Sequence, residues 1–238
     1  SIILVFILSL YWLLSPILWI LLPVFAIFTP KLRHHWANQK STWHLAGERR
    51  KEKGAGKQVV LFHAASTGEF EQLKPILKKV NRSRYFILLT FFSPTIFNIE
   101  KNTPLADAVC YHPFDFPWSA LLFFRKFDIH HYIITRNDIW PTHLFIAKQL
   151  GINTILINAN LYRERHYNSR FMIFFLKQIF DNFNLILTGS ERLQSNLLNL
   201  VSQKKILVTG DSRLDRLLEL KSENNSPLLP ECFASSHT

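Results

Sequence analysis

The apolar and polar positions of this chain change their spacing in a regular order. Between residue 58 and about residue 216, short apolar runs alternate with longer amphipathic segments. Strands that alternate with helices of this length are typical of βαβ units, and right-handed crossovers place such helices on both faces of a mainly parallel sheet. The predicted strands are 59–63, 85–90, 108–111, 131–135, 154–158, 185–188 and 205–209. The predicted helices are 69–80, 94–101, 118–126, 141–150, 169–180 and 190–200.

A long apolar segment precedes this pattern, because the first 28 residues contain no charged side chain. Such a segment is long enough to cross a hydrocarbon core of about 30 Å. Pro16 and Pro23 interrupt it, so a kinked span or a helix lying partly in the interface fits as well as a straight span. Lys31 and Arg33 follow directly, and positive charge on this flank predicts that the rest of the chain is cytoplasmic. A cleaved signal peptide is the competing interpretation, but its basic start and small-residue cleavage site are missing.

The predicted organisation therefore has four parts. They are a membrane anchor at 1–29, a basic connector at 30–57, an α/β domain at 58–216 and a linker or tail at 217–238.

The charge balance favours an anionic partner. The net charge is +11, from 28 Lys and Arg against 17 Asp and Glu, which suits phosphate groups, nucleic acid or a membrane face. The basic residues lack aromatic interleaving, so we do not expect a nucleic-acid partner. Cys110, Cys232 and the ten histidines have no metal-ligand spacing. We therefore predict no metal, no cofactor and no disulfide scaffold, and a reducing compartment.

The segment 63–72 (HAASTGEFEQ) connects the first predicted strand to the first helix of the sheet domain. A strand that ends in a small-residue turn and leads into a helix directs backbone N–H groups and a carboxylate at one point. Glu69 is the candidate general base, able to take a proton from a sugar hydroxyl. Ser66 and Gly68 are candidates for binding an anionic ligand. The alternative is that Glu69 only closes a capping box with Ser66.

Polar residues also follow the other predicted strands. Because the carboxyl ends of parallel strands meet at one edge of the sheet, we expect these residues to line one ligand-binding edge. Each has a structural alternative: a helix cap, a helix-terminal charge, an internal ion pair or a solvated loop charge. The candidates are Ser93, Arg136, Asp138, Asn158 and Arg163.

The order of these strand-end blocks resembles one family. The blocks are HAASTGE at 63–69, LTFFSP at 89–94, PFDFP at 113–117, DIWP at 138–141, NANL at 158–161 and VTGDSRLD at 208–215. In this order they resemble the N-terminal half of the Kdo transferases, which add 3-deoxy-D-manno-octulosonic acid to lipid A precursors.

The resemblance implies a GT-B glycosyltransferase whose N-terminal, Rossmann-like domain receives the lipid A precursor at the cytoplasmic face of the inner membrane. A C-terminal domain outside this chain would bind the donor, CMP-Kdo. The residue that matches Glu69 would be the base of an inverting transfer that uses no metal. The isolated chain is therefore expected not to transfer sugar.

Two blocks depart from the family pattern. Arg136-Asn137-Asp138 stands where many members have Glu-Thr-Glu, and Asn160 stands where they have Arg. Arg136 would then replace a lost positive charge. The alternative function is a non-catalytic, membrane-tethered module of the same fold that binds glycolipid or acts as a scaffold.

Overall fold

The computed structural model describes residues 2–136, 138–160 and 170–223, with no description of the side chains of 2–5, 170, 171 and 223. The strands are β1 Gln58–Ala64, β2 Tyr85–Phe91, β3 Ala108–Tyr111, β4 Ile129–Thr135, β5 Asn153–Ala159, β6 Leu185–Thr188 and β7 Ile206–Val208. The helices are α1 Ile2–Phe28, α2 Pro30–Lys53, α3 Thr67–Lys79, α4 Pro94–Glu100, α5 Pro117–Phe127, α6 Pro141–Gln149, α7 Arg170–Phe180, α8 Glu191–Leu197 and α9 Ser212–Glu223.

The seven strands form one parallel sheet, as the alternating pattern predicts. Their order across the sheet is β3-β2-β1-β4-β5-β6-β7. The chain builds outward from β1 in one direction and from β4 in the other, so the order reverses between β1 and β4. A crevice opens at such a switch point because the connections after its two strands lead away to opposite sides.

Both faces of the sheet are buried, which explains why its strands are continuous apolar runs. Successive side chains of β1 point to opposite faces. Val59 and Leu61 therefore pack with α5 and α6 in one core cluster, while Val60 and Phe62 pack with α3 and α4 in another. The sequence prediction of helices on both faces is confirmed.

The connector predicted at 30–57 is largely helical. Pro30 occupies the first turn of α2, where its missing N–H costs nothing. The buried residues of α2 are His35, Gln39, Thr42 and Ala46, at three- and four-residue spacing. Three of these four are polar, so the segment lacks the apolar stripe by which an amphipathic helix is recognised. Its contacts with β3 and α5 make the helix part of the folded domain.

Helix α1 remains continuous across Pro16. A proline removes the N–H that would bond the carbonyl four residues earlier, here that of Trp12. The Ser15 hydroxyl donates to this Trp12 carbonyl oxygen at 2.7 Å. The Ser15 hydroxyl therefore replaces the N–H donor that Pro16 cannot supply to the Trp12 carbonyl.

Helix α9 closes the described part of the chain by packing on α3. Ser212, at its start, accepts from Asn158 Nδ2 at 2.6 Å and donates to the Gln72 carbonyl at 2.8 Å. Arg216 pairs with Glu71 of α3 at 2.8 Å. The helix runs to Glu223, beyond the predicted start of a tail at 217, so that part of the sequence prediction missed a helix.

Replacing Ser212 by Ala tests this closure. The buried hydroxyl satisfies both Asn158 and the Gln72 carbonyl, so Ser212→Ala should lower the free energy of unfolding by about 1–3 kcal/mol. Urea unfolding in detergent, followed by circular dichroism, measures the change. Ser195→Ala is the matched control, because the Ser195 hydroxyl donates to Arg192 on an exposed helix surface. Equal effects of the two substitutions would contradict the structural role of Ser212.

Candidate functional site

The candidate site lies where the sheet order reverses, at the carboxyl ends of β1 and β4. The turn after β1 leads into α3 and carries Ser66, Gly68 and Glu69. The segment after β4 carries Arg136 and Asp138. The parallel register places these two segments side by side, since His63 pairs with Ile134.

Glu69 closes the capping box that the sequence offered as its alternative role. Its Oε2 atom accepts from the backbone N–H groups of Ala65 at 2.7 Å and Ser66 at 3.2 Å. In return, the Glu69 N–H donates to Ser66 Oγ at 3.4 Å. No hydrogen bond to Oε1 is found within the described part of the chain. The cap therefore uses one carboxylate oxygen and leaves the second available to a ligand.

The environment of Glu69 makes its carboxylate more basic than a free glutamate. The side chain is half-buried, and this burial is the largest factor that raises its pKa. The Ala65 N–H counteracts the effect, while the negative charge of Asp138 raises the pKa further. Charges of the same sign share the crevice, which is a common arrangement in sites that move protons.

Asp138 is held by a buried histidine. His63 Nε2 lies 2.6 Å from Asp138 Oδ2, and the His63 ring is fully buried. Burial by itself would raise the pKa of Asp138, but the hydrogen bond and charge of His63 outweigh it and hold the pKa below its ordinary value. The Asp138 carboxylate is therefore ionised and oriented. Its partner is His63, a contact that the sequence did not predict.

Three more buried histidines lie behind this pair and form a cluster of four with His63. His63 stacks on His112 with ring centroids 3.6 Å apart, and His112 Nε2 lies 3.0 Å from His143 Nδ1. His35 of α2 contacts the backbone oxygens of Phe92 and His112 through its two ring nitrogens. Burial lowers the pKa of His35 to about 4 and of His143 to about 3, and it holds that of His112 well below its usual range. The His112 and His143 rings are therefore neutral near pH 7.

The sequence indicated two members of this cluster. His63 and His112 stand at predicted strand ends, where a satisfied structural role is the simpler interpretation. His35 and His143 lie on helices and carry no spacing signal, so only the fold brings them in. Across residues 2–136, 138–160 and 170–223, no group of three His, Cys, Asp or Glu side chains is arranged to hold a metal ion.

The remaining candidate residues occupy different positions around the crevice. Gly68 is exposed, and a Cβ atom there would meet nothing within 4 Å. Ser93 occupies the N-cap position of α4 as predicted, but its side chain makes no capping hydrogen bond. Asn158 is buried, and its amide bonds Gln72 and Ser212. Arg163 lies outside the described residues.

Two of these residues have left-handed backbone conformations. Arg136 has φ 61° and Asn158 has φ 51°, directly at or after the ends of neighbouring strands. The Arg136 N–H donates to the Ile157 carbonyl at 2.9 Å, which fixes the turn after β4 to β5. Non-glycine residues in this region persist where surrounding contacts determine the backbone, often near ligand sites.

Sequence comparison places the chain among sugar transferases. Residues 37–216 match a family model described as 3-deoxy-D-manno-octulosonic-acid transferase (kdotransferase). A 3-deoxy-D-manno-octulosonic acid transferase from Aquifex aeolicus (strain VF5) is 32% identical over 104 residues, 43% of this chain and 28% of the relative. The corresponding protein of Chlamydia muridarum (strain MoPn / Nigg) is 24% identical over 184 residues, 75% of this chain and 42% of the relative. The chain thus spans less than half the length of these relatives.

Structural comparison supports the same architecture. A UDP-N-acetylglucosamine 2-epimerase from Rickettsia bellii aligns with a TM-score of 0.53 and 10% identity, over 70% of this chain and 48% of the epimerase. The UDP-GlcNAc 2-epimerase from Neisseria meningitidis aligns with a TM-score of 0.51 and 14% identity, over 70% and 50% of the two chains. At these identities the likeness shows the fold alone. The fold is one Rossmann-like, GT-B-like domain.

A largely buried carboxyl group beside the histidines, that of Asp115, generates a pH prediction. Burial raises the pKa of Asp115 to about 7, although the backbone N–H of His143 donates to its Oδ1 at 3.2 Å. The folded protein therefore retains a proton that the unfolded chain releases above about pH 4. The contribution of Asp115 therefore lowers the free energy of unfolding of the wild type as the pH rises from about 4 to about 7.

The Asp115→Asn variant cannot ionise at this position. We expect its free energy of unfolding to exceed that of the wild type by about 2–4 kcal/mol at pH 8, and to be nearly equal at pH 4. The histidines with lowered pKa are present in both proteins, so the difference reports Asp115 together with its contact to His143, whose Nε2 lies 3.7 Å from Asp115 Oδ1. Denaturant unfolding in detergent at several pH values measures this difference. A difference that stays constant between pH 4 and pH 8 would contradict a raised pKa of Asp115.

Proposed function

Because the chain belongs to the 3-deoxy-D-manno-octulosonic-acid (Kdo) transferase family, whose N-terminal region it matches, we propose that it is the acceptor-binding part of a membrane-anchored glycosyltransferase. The proposed reaction transfers Kdo from CMP-Kdo to a lipid A precursor. A further domain outside this chain would bind CMP-Kdo. This assignment combines the family with the position of the crevice at the end of β1 and β4, where ligands of open α/β sheets bind.

The observation that carries the proposal is that the two oxygens of the Glu69 carboxylate differ in their hydrogen-bond partners. Oε2 accepts both backbone N–H groups of the cap, while Oε1 has no partner among the described residues. Oε1 can therefore take a proton from an acceptor hydroxyl without breaking the cap. The raised pKa of Glu69 brings it closer to the value at which a general base works best near neutral pH.

In the proposed step, the acceptor hydroxyl gives its proton to Glu69 as its oxygen bonds to the anomeric carbon of Kdo. The bond between that carbon and the phosphate oxygen of CMP breaks, and CMP leaves with the bonding electron pair. Attack from the face opposite CMP inverts the anomeric configuration. Asp138, fixed by His63, raises the basicity of Glu69 through its charge and can accept a hydrogen bond from the acceptor.

The other predicted residues have proposed binding roles around the crevice. Ser66 and Gly68 border Glu69 at the open N-terminus of α3, where an anionic group of the acceptor is favoured. Ser93 and Arg136 follow β2 and β4, the two strands that flank β1, at the same edge. Asn158 supports the side of the crevice through hydrogen bonds from its amide to Gln72 and Ser212. Arg163 is proposed from sequence alone.

Glu69→Gln tests the base. In the natural polypeptide that carries these residues, we expect kcat for Kdo transfer to fall by about 100-fold or more, because the amide cannot accept the proton. KM for the acceptor should change little, since Gln retains the shape and the capping oxygen. Transfer from CMP-Kdo to a purified lipid A precursor, followed by mass spectrometry, provides the measurement.

Glu71→Gln is the matched control on the same helix. Glu71 pairs with Lys74 and Arg216, away from the crevice, so its substitution should leave kcat within a factor of about 2. If Glu69→Gln and Glu71→Gln behave alike, Glu69 is not the base. If the wild type binds the glycolipid but transfers no Kdo, a non-catalytic binding module is favoured instead.

Membrane attachment is proposed through α1, with the domain at the cytoplasmic face of the inner membrane. Residues Phe6–Phe28 form the one helix of the described chain that is long and apolar enough to cross a membrane. Many of its side chains are exposed to solvent, Ile20 by 66%. Exposed apolar surface on this scale indicates a partner such as lipid.

Ile20→Lys tests this attachment. A charge within the apolar surface should reduce binding to vesicles of phosphatidylethanolamine and phosphatidylglycerol by about 10-fold or more. Vesicle co-sedimentation measures the bound fraction. Ile99→Lys is the matched control, because Ile99 is equally exposed, at 68%, but lies on α4. Equal loss with both variants, or no loss with either, would argue against α1 as the attachment site.

A further inference from the structure

Helix α1 is packed against the domain along most of its length. Leu8, Ser15, Leu22 and Ala26 are each 9% exposed or less. Their spacing of seven and four residues places them in one stripe on the helix surface. Leu8 belongs to the same core cluster as the sheet residues Val59 and Leu61. The stripe therefore faces the protein from near the start of the helix to near its end.

Directional contacts fix the first half of this packing. Tyr11 Oη donates to the Asp115 carbonyl at 3.0 Å, and Trp12 Nε1 donates to Thr142 Oγ1 at 3.3 Å. The Trp12 ring also packs edge-on against Phe145 of α6, with centroids 5.3 Å apart. In the second half, Leu22 packs with Phe114 and Phe116. Helix α1 therefore docks on segments that belong to the water-exposed domain.

The length of the docked stripe decides how the helix can meet a bilayer. Leu8 and Ala26 are 18 residues apart, which is about 27 Å along a helix. A perpendicular span needs about 30 Å of the same helix inside hydrocarbon. It would draw the docked segments, with Asp115 and the start of α6, into the hydrocarbon too. Docking and spanning therefore compete for the same residues.

The opposite face of α1 is apolar and exposed. Leu13, Ile17, Ile20, Val24 and Ile27 are each at least 50% exposed. Their spacing alternates between four and three residues, so they form a row on the side away from the docked stripe. A row of this kind fits immersion in one leaflet along its whole length.

A groove between α1, α2 and α5 has a chemistry that suits lipid headgroups. Trp19, Trp36, Trp43 and Trp118 line it together with Lys40. Indole rings favour the boundary between hydrocarbon and water, and an exposed lysine there can meet a lipid phosphate. The groove therefore matches the headgroup level of an anionic membrane.

We propose that α1 does not cross the bilayer but lies flat in one leaflet, docked to the domain by its inner stripe. The outer row enters the acyl region, and the tryptophan groove lies at the headgroups. This rests on the proposed membrane attachment and specifies its geometry. Because Tyr11 and Trp12 bind the segments that also hold His143, the candidate site is kept at a fixed height above the membrane.

Depth measurements along the outer row test this geometry. Single cysteines are introduced as Leu13→Cys, Ile20→Cys and Ile27→Cys in a chain carrying Cys232→Ser, with the buried Cys110 retained. Each is labelled with a nitroxide and bound to vesicles of phosphatidylethanolamine and phosphatidylglycerol. Accessibility to oxygen and to a water-soluble nickel complex then gives the depth. The parent chain, which carries Cys232→Ser and no introduced cysteine, measures any reaction of the nitroxide label with Cys110.

A flat helix places all three labels at one depth, within about 5 Å, and lowers nickel accessibility several-fold at each. A span places the labels at residues 13 and 27 about 21 Å apart along the membrane normal, with the label at 20 between them. That result would overturn the flat geometry and leave membrane attachment intact. Labels that remain water-accessible at all three positions would overturn both. A label at Ile99→Cys, on α4, should stay accessible throughout.

Discussion

The hydrogen bond between His63 and Asp138 joins the two strands between which the order of the sheet reverses. The two residues are 75 positions apart in the chain, and their side-chain atoms lie 2.6 Å apart. This contact fixes the segment after β4 against the end of β1, so the crevice has a defined shape. The stacked and hydrogen-bonded histidines behind it fill the space beneath the crevice without bringing a net charge into the core.

The proposed catalytic chemistry depends on this arrangement. When only the sequence is considered, a capping box and a general base are competing roles for Glu69. In the folded chain both N–H donors of the turn meet Oε2, which leaves Oε1 for the proposed role as base. The cap holds the carboxylate in place, and the ionised Asp138 makes it a stronger base. The cap and the proposed catalytic role are thus compatible in one side chain.

The same site is linked to the proposed membrane contact. The segment 113–117 and the start of α6 bear the groups that hold His143, and they also receive hydrogen bonds from Tyr11 and Trp12 of α1. An acceptor lipid carried in the membrane would therefore meet the crevice at a height set by protein contacts. A flexible tether would leave that height variable, whereas a docked helix fixes it.

The sequence by itself determined the elements that depend on local pattern. Seven strands, their parallel arrangement and the capping box at Ser66 and Glu69 follow from apolar periodicity and turn chemistry within a few residues. Helix α2 escaped prediction because its buried face is polar, and the partners of His35 and the N–H donor to Thr42 are backbone groups far away in the sequence. The partner of Asp138, the roles of His35 and His143 and the docking of α1 were decided by the tertiary structure alone. Each is a contact between residues far apart in the chain, and neither hydrophobic pattern nor motif spacing specifies which distant polar groups a fold brings within hydrogen-bonding distance.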